Sequence, residues 1–230
     1  MHTPSPDTER RLTEHFSQYI TDHKKEFVEK VLNERTRYIS MVLEDIYQSQ
    51  NASAVVRTSE CMGLQDIHII ENKAEYSVNK KVIKGASKWI DIIRYKAKKV
   101  NNAEICLSKL KSQGYLLLAT EPADTGTSID EVPLNRPIAI VMGNELHGVS
   151  EFTSGMCDGK VRIPMYGFTE SLNISVSAAI CLNTLVPKLR KSEFAWRLSQ
   201  PEKDALRLLW YKKIVRRSDR IEQEFLRSIQ

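Results

Sequence analysis

The first 37 residues place apolar side chains at spacings near three and four, with charged residues between them. Leu12, Phe16 and Ile20 form one such series. An α-helix turns once in about 3.6 residues, so this spacing predicts amphipathic helices. We therefore expect a helical segment at the N-terminus.

From Tyr38 onward the pattern changes to short, almost continuously apolar runs that alternate with helical stretches. Such runs are typical of parallel strands buried on both faces of a sheet. The alternation predicts an α/β fold with a mostly parallel sheet. The predicted strands are 38–46, 66–71, 89–95, 115–120, 138–142 and 161–164, and the predicted helices among them are 52–62, with Asn51 as its cap, and 102–113.

A long apolar helix is predicted to begin at Ser171 and to break near Pro187, because proline disrupts a helix interior. The chain then turns basic, and Leu206, Leu209 and Trp210 share one face of another predicted helix over 201–213. These changes predict three parts. They are a helical N-terminal extension (1–37), a central α/β domain (38–190) and a basic C-terminal helical extension (191–230).

The formal net charge of +5 is unevenly distributed along the chain. Residues 187–230 contain twelve basic and six acidic side chains, and residues 73–111 contain eleven and three. Both segments suit contact with a phosphate backbone, although solvated helix faces produce the same charge pattern.

The composition excludes several classes of protein. With 41% hydrophobic and 27% charged residues, the chain is neither collagen-like nor wholly disordered. It has no apolar run long enough to span a membrane, and its polar first residues lack the apolar core of a signal peptide. The four cysteines are scattered, which speaks against a metal site or a disulfide framework and favours the cytoplasm.

The first stretch with candidate chemistry is NASAVVRT, from Asn51 to Thr58, where a predicted strand gives way to a predicted helix. Asn51 and Arg57 are its polar residues of interest, and they lie about 1.7 helical turns apart. A helix cap followed by a surface arginine would explain this stretch equally well.

The second stretch is MGNELHGVS, where Gly143 and Gly148 bracket a loop directly after a predicted strand. Loops at the carboxyl ends of parallel strands are where α/β proteins bind ligands. The glycine spacing resembles part of a P-loop, but Val149 and Ser150 stand where such a loop requires Lys and Ser or Thr. The missing lysine excludes a P-loop nucleoside triphosphatase, and no GxGxxG dinucleotide fingerprint follows any predicted strand.

The third stretch is IPMYGFTESLNISVSAA, from Ile163 to Ala179. Ser171 fits the N-cap of the following helix. Asn173 requires a different explanation, because an amide inside an otherwise apolar turn needs a hydrogen-bonding partner.

In their order and spacing the three stretches resemble the motifs of the SpoU/TrmH branch of the SPOUT methyltransferases, over roughly Tyr38 to Leu189. This resemblance implies a deep C-terminal trefoil knot whose loops bind S-adenosyl-L-methionine. It also implies a homodimer that transfers a methyl group to an RNA ribose 2′-hydroxyl, without a metal.

The resemblance also implies two sets of site residues. The catalytic set would align the ribose and stabilise the developing oxyanion, and the cofactor set would surround S-adenosyl-L-methionine. The implied catalytic residues are Arg57, Asn51, Glu145, Ser171 and Asn173, and the implied cofactor-binding residues are Thr120, Gly143, Ile163, Met165, Leu172 and Asn173.

The short N-terminal segment and the basic C-terminal helix are similar to members of the family that modify tRNA, so the implied substrate is the D-loop guanosine at tRNA position 18. We expect tRNA, and neither DNA nor a membrane, as the partner. An rRNA guanosine or another tRNA ribose remains the alternative substrate, and a non-catalytic RNA-binding module is the alternative outside enzymes.

Overall fold

A computed structural model describes residues 5–121 and 126–229. The first four residues of the predicted N-terminal extension and the last residue of the C-terminal one lie outside the described residues. The helices and strands are α1 (Pro6–Ser17), α2 (Asp22–Glu34), β1 (Ile39–Glu44), α3 (Ser49–Cys61), β2 (Asp66–Ile70), α4 (Lys80–Ile83), β3 (Asp91–Tyr95), α5 (Asn102–Ser112), β4 (Leu116–Thr120), β5 (Thr127–Ser128), β6 (Ile138–Met142), α6 (Glu151–Met156), β7 (Gly159–Arg162), α7 (Ile174–Arg190), α8 (Gln200–Ile214) and α9 (Ser218–Ser228), with a 3-10 turn at Ala86–Lys88.

The seven described strands form one sheet in the order β3-β2-β1-β6-β4-β7-β5, and every neighbouring pair is parallel. In the centre of the sheet, Met41 of β1 pairs with Ile67 of β2 on one side and with Ile140 of β6 on the other. The predicted α/β fold with a parallel sheet is confirmed. The carboxyl ends of these strands lie along one edge of the sheet, where the loops with candidate chemistry begin.

Helices cover both faces of the sheet. Met41 and Leu43 belong to a core that also contains α3 and α7, whereas Val42 packs in a second core with α5. All six residues of β1 are buried, because a strand with helices on both faces has no solvent-facing side. This burial explains why β1 reads as a continuous apolar run.

The structure corrects four predicted boundaries. Helix α3 begins at Ser49, so Asn51 lies in its first turn and is not its cap. Helix α7 begins at Ile174, and its cap is Asn173, whose side chain accepts a hydrogen bond from the Ser175 amide; Ser171 is not the cap. Ser171 and Asn173 are both residue types that cap helices and lie two positions apart, so the sequence alone could not decide between them.

The other two corrections concern proline. Helix α7 continues through Pro187 to Arg190, because Leu185 and Leu189 on either side of the proline are buried and hold the last turns in place. Strand β7 runs over Gly159–Arg162, two residues before the predicted 161–164, since Pro164 has no N–H with which to extend the ladder.

The chain divides into two compact units, one from Thr36 to Trp196 and one from the segments before and after it. In the second unit, α8 packs against α1 and α2. Trp210 of α8 is 2% exposed, and the Arg35 guanidinium lies 5.4 Å from its ring centre. Trp210 is therefore a packing residue. None of the described helices combines the length and the apolar character that crossing a membrane requires.

Candidate active site

A cavity of about 700 Å³ opens at the carboxyl ends of β4, β6 and β7, beside the N-terminus of α7. Its volume lies within the range of about 300–1,000 Å³ that is usual for small-molecule sites. Along the chain β6 lies between β4 and β7, but in the sheet β4 lies between β6 and β7, so the loops that follow these three strands meet here. Residues from all three stretches with candidate chemistry line the cavity.

The glycine-bracketed loop forms one wall of the cavity. The Asn144 and Gly148 backbones exchange hydrogen bonds of 3.1 and 3.0 Å, and the Asn144 side chain accepts from the Leu146 and His147 amides. A Cβ atom on Gly143 would lie 1.8 Å from the Gly148 carbonyl carbon, and Gly148 itself has φ +66°. Both glycines are thus required by the backbone of this loop.

Asn51, Glu145 and Asn173 are joined by hydrogen bonds at the cavity, one residue from each stretch. Asn51 Nδ2 donates to Glu145 Oε1 at 2.8 Å, and Asn173 Nδ2 donates to Asn51 Oδ1 at 3.1 Å. Asn173 Oδ1 accepts from the Ser175 amide and hydroxyl. This chain satisfies the Asn173 amide, whose need for a partner the sequence indicated.

The six residues implied for cofactor binding all line the cavity, as does Ser171. The residues come from the ends of strands and the start of α7, and they offer both apolar side chains and polar groups. Thr120 Oγ1 donates to the Val141 carbonyl at 3.1 Å, which fixes the end of β4 against β6. The six are Thr120, Gly143, Ile163, Met165, Leu172 and Asn173.

Arg57 lies elsewhere. It is exposed on α3 and is not among the cavity-lining residues; its Nη1 lies 3.5 Å from the Val82 carbonyl oxygen. Asn51 and Glu145 bind each other and do not bind Arg57 within this chain.

Gln48 and Arg162 are among the cavity-lining residues that sequence reasoning missed. Gln48 Oε1 accepts from Asn51 Nδ2 at 3.2 Å, and its position three residues before Asn51 is the signal that could have identified it. Arg162 directly precedes Ile163, at the end of β7.

Sequence reasoning also missed the support beneath the site. The buried Glu44 carboxylate accepts from the Ser150 amide at 2.9 Å, from its hydroxyl at 2.7 Å and from the Thr153 hydroxyl. Ser150 caps α6, so these bonds fasten the end of the glycine loop to the end of β1. A glutamate at the end of an apolar strand gave no signal of this role.

Cys181 lines the cavity, but burial raises the pKa of its thiol to about 12, so the thiol is protonated at neutral pH and is a poor nucleophile. The described part of the chain contains no group of three or more His, Cys, Asp or Glu side chains that could hold a metal ion. What the cavity offers is a set of hydrogen-bonding amides, hydroxyls and a carboxylate beside apolar walls.

Residues 38–183 match the SpoU rRNA methylase family, and this match covers more than half of the chain. The chain belongs to that family. Among the family's proteins, one from Borreliella burgdorferi named tRNA (guanosine(18)-2′-O)-methyltransferase is 45% identical over 206 residues, which are 90% of this chain and 92% of that protein. The resemblance seen in the three motifs is confirmed.

Two solved structures of family proteins are similar to this one. The crystal structure titled as the A. aeolicus TrmH/SpoU tRNA modifying enzyme is 26% identical, covers 91% of this chain and 99% of its own, and has a TM-score of 0.72. The SpoU methyltransferase AviRb from Streptomyces viridochromogenes, solved in complex with the cofactor AdoMet, is 19% identical over 71% of this chain and 62% of its own, with a TM-score of 0.58. The latter supports the fold alone.

Proposed function

We propose that this protein transfers a methyl group from S-adenosyl-L-methionine to the 2′-hydroxyl of a tRNA ribose, that of the D-loop guanosine at position 18. The observation that carries the proposal is the hydrogen-bonded set Asn51, Glu145 and Asn173, which joins all three family motifs at one cavity. The B. burgdorferi relative, named for this reaction and similar over nine-tenths of the chain, supports the choice of substrate.

The cavity fits S-adenosyl-L-methionine by size and by chemistry. The apolar side chains of Ile163, Met165 and Leu172 suit an adenine ring, while Thr120 and Asn173 offer polar atoms to the ribose and amino-acid parts. The Gly143 backbone would hold the cofactor where the glycine loop meets β6. When bound, the cofactor supplies an electrophilic methyl group.

The remaining task of the protein is to align a poor nucleophile and help it to lose a proton. Asn51, Glu145, Ser171 and Asn173 would orient the ribose beside the cofactor. Arg57 would bind the substrate phosphate and stabilise the developing oxyanion, because a guanidinium stays protonated in proteins and is not itself a base. The proton would pass to phosphate or water.

We propose further that the active protein is a homodimer in which Arg57 serves the partner's cavity. Arg57 is six residues beyond Asn51, about 9 Å along the helix axis, and does not line the cavity of its own chain. Co-expression of R57A and N173A chains tests this arrangement. One intact site, and with it methyl transfer, returns only if the two residues act across subunits; an inactive mixture would place Arg57 in its own subunit's site.

The knot of the family is part of the proposal. The chain passes from β4 to β5 at the edge of the sheet and back to β6 in its interior, while β7 inserts between β4 and β5. This order of strands supports a trefoil knot between 116 and 190. The cytoplasm, where tRNA is modified, is the proposed compartment.

The decisive experiment maps 2′-O-methyl groups on total tRNA from cells with and without this protein. Loss of the methyl group at guanosine 18 alone is the expected result. Loss of an rRNA methyl group instead would establish the alternative substrate, and no loss together with no binding of S-adenosyl-L-methionine in isothermal titration would indicate a non-catalytic RNA-binding module.

Arg57→Lys tests the role of the guanidinium. Lysine keeps the charge but loses the planar fork that binds phosphate through two N–H groups. We expect turnover to fall about 100-fold or more, since losing one preorganised transition-state donor costs about 100- to 1,000-fold. Near-normal turnover in methyl-incorporation assays would contradict the bidentate role.

A further inference from the structure

The segment between β2 and β3 does not form the long crossover helix that usually joins parallel strands. It makes one short helix, α4, and a 3-10 turn, and both lie against α3. Ile83 and Ala86 are buried at 3% and 6% exposure. Their burial turns the polar side chains of the segment outward.

Two hydrogen bonds to α3 fasten this segment. The Asn79 amide donates to Oγ of the fully buried Ser53 at 2.9 Å, and Arg57 Nη1 donates to the Val82 carbonyl at 3.5 Å. Ser53 and Arg57 are four residues apart on α3 and therefore share a face. The segment is thus held beside Arg57 at a fixed position.

Lys80 and Lys81 of α4 and Lys84 directly after it are exposed, and we call these three the α4 lysine cluster. None of them forms an ion pair within the part of the chain that the structure describes. Lys111, in contrast, pairs with Asp158 at 3.6 Å, and Lys160 pairs with Glu121 at 2.6 Å.

Like charges three and four residues apart repel each other, so the cluster is an unfavourable arrangement for the isolated protein. Arg57 adds a fourth exposed positive charge at the same surface. A surface of this kind is neutralised most effectively by an anion with several charges at regular spacing, which describes a nucleic-acid backbone.

We propose that the α4 lysine cluster binds the tRNA phosphates that flank the target nucleotide, as one surface with Arg57. This inference rests on the proposed tRNA substrate. None of the three lysines lines the cavity, so they contact neighbouring phosphates and not the reacting ribose. They contribute to tRNA affinity and leave the bond-making step and cofactor binding unchanged.

The test compares K80Q/K81Q/K84Q with a matched control, K73Q/K98Q/K99Q. Both variants lose three exposed positive charges between β2 and α5, and each set includes one lysine in the left-handed region, Lys84 at φ +49° and Lys99 at φ +62°. The loops that contain the control lysines form no hydrogen bond with Arg57 in the described structure. Any difference between the variants therefore reports position and not net charge.

Binding of a tRNA transcript is measured by fluorescence anisotropy over a series of salt concentrations. Each lost phosphate contact makes the slope of log K against log salt shallower by about 0.7–0.9. The slope for K80Q/K81Q/K84Q is therefore expected to be shallower than that of wild type by about 2–3. Its KM for tRNA should rise about 10-fold, with kcat and the affinity for S-adenosyl-L-methionine within about 2-fold of wild type. K80R/K81R/K84R, which keeps the charges, should bind like wild type.

Equal slopes for the two glutamine variants, or no binding of tRNA by the wild-type protein, would overturn the proposal. The binding measurement does not depend on methyl transfer, so it separates this inference from the proposed function. If the wild-type protein binds tRNA with the expected salt dependence but methylates no tRNA, the proposed function fails and the phosphate-binding surface stands.

Discussion

Gly143 has an identity that its surroundings fix strictly. Any side chain would place its first carbon 1.8 Å from the Gly148 carbonyl carbon, where the neighbour is backbone and cannot rotate away. The two glycines close the loop that walls the cavity. A substitution here acts on cofactor binding by displacing this wall.

Gly143→Ala should weaken binding of S-adenosyl-L-methionine by about 10-fold or more, because the loop must open to make room for the alanine side chain. Isothermal titration measures the affinity. Gly155→Ala is the matched control, since a Cβ at Gly155 meets nothing within 4 Å and alanine favours the helix in which it lies. Equal affinities for the two variants would show that the loop tolerates the displacement.

Asn51 is the centre of the hydrogen-bonded set, because its amide donates to Glu145 and its carbonyl accepts from Asn173. Asn51→Asp removes the donor and places two carboxylates side by side. We expect the free energy of unfolding to fall by about 1–2 kcal/mol in urea titrations, and the double variant N51D/E145Q to regain most of it by restoring a donor. A double variant no more stable than N51D would contradict the pairing.

At the scale of elements, the loop after β2 is held by one carboxylate at the end of β1. Asp45 adopts φ +49° and accepts hydrogen bonds from the backbone amides of Asn72, Lys73 and Ala74 at 2.7–3.0 Å. This loop begins the chain segment that leads to α4. The predicted strand 38–46 included Asp45, but β1 ends at Glu44. The prediction was wrong here because local patterning gives no sign that Asp45 accepts hydrogen bonds from residues 72–74.

Asp45→Ala should lower the free energy of unfolding by about 2–3 kcal/mol, since three hydrogen bonds lose their acceptor in a left-handed residue. Asp45→Asn keeps one side-chain oxygen and tolerates the left-handed conformation, so it should cost less than half as much. Urea unfolding compares the two. Equal losses would mean that the negative charge, and not the acceptor, holds the loop.

The basic C-terminal extension is partly committed to internal contacts. Arg207 pairs with Glu29, and Lys212 pairs with Glu222 at 2.6 Å. Because α8 packs against α1 and α2, truncation after Lys191 would remove exposed positive charges and also buried residues such as Leu206 and Trp210. Weaker tRNA binding in such a truncation would not identify its cause.

Substitution of charges tests the C-terminal extension without removing α8. Arg216 and Arg217 are exposed and form no ion pair within the described residues. R216Q/R217Q should flatten the salt dependence of tRNA binding by about 1–2 in the log–log slope and leave the affinity for S-adenosyl-L-methionine unchanged. Loss of cofactor binding would mean that this segment is more than an accessory to the catalytic domain.

At the scale of the whole molecule, stability depends on a histidine that is not at the cavity. His68 of β2 is 2% exposed, and its Nδ1 lies 3.1 Å from the Tyr95 hydroxyl. Burial, with smaller effects from Lys109 and Arg37, lowers the pKa of His68 to about 4. The imidazole is therefore neutral at physiological pH and belongs to the core.

An unfolded histidine has a pKa near 6.5, so below this pH the unfolded chain binds a proton that the folded chain does not. The contribution of His68 to stability is complete above about pH 6.5 and is lost progressively as the pH falls towards 4. Urea unfolding of wild type and H68Q at pH 7.5 and 5 measures this. The difference in free energy of unfolding between wild type and H68Q should be smaller at pH 5 than at pH 7.5. An equal difference at both pH values would show that protonation of His68 does not contribute to the pH dependence of stability.

The sequence predicted the elements well where hydrophobic spacing decides the structure. Strand β6 has the predicted bounds, and β2 and α5 end within one residue of theirs. The predictions failed where neighbours decide, as at Pro187, which lies inside a helix held by buried leucines. The short elements α4, β5 and α6 carried too little pattern to be predicted.

By itself the sequence determined the parallel α/β class and the three motifs, because buried strands, glycine loops and motif order are local properties. The resemblance of these motifs to the family implied six further residues, and all six line the cavity. Only the tertiary structure decided the rest. It joined Asn51, Glu145 and Asn173, which are up to 122 residues apart, and it placed Arg57 outside the cavity and beside the α4 lysine cluster. Such contacts depend on the order of strands in the sheet and on the packing of helices over it, and no local pattern encodes either.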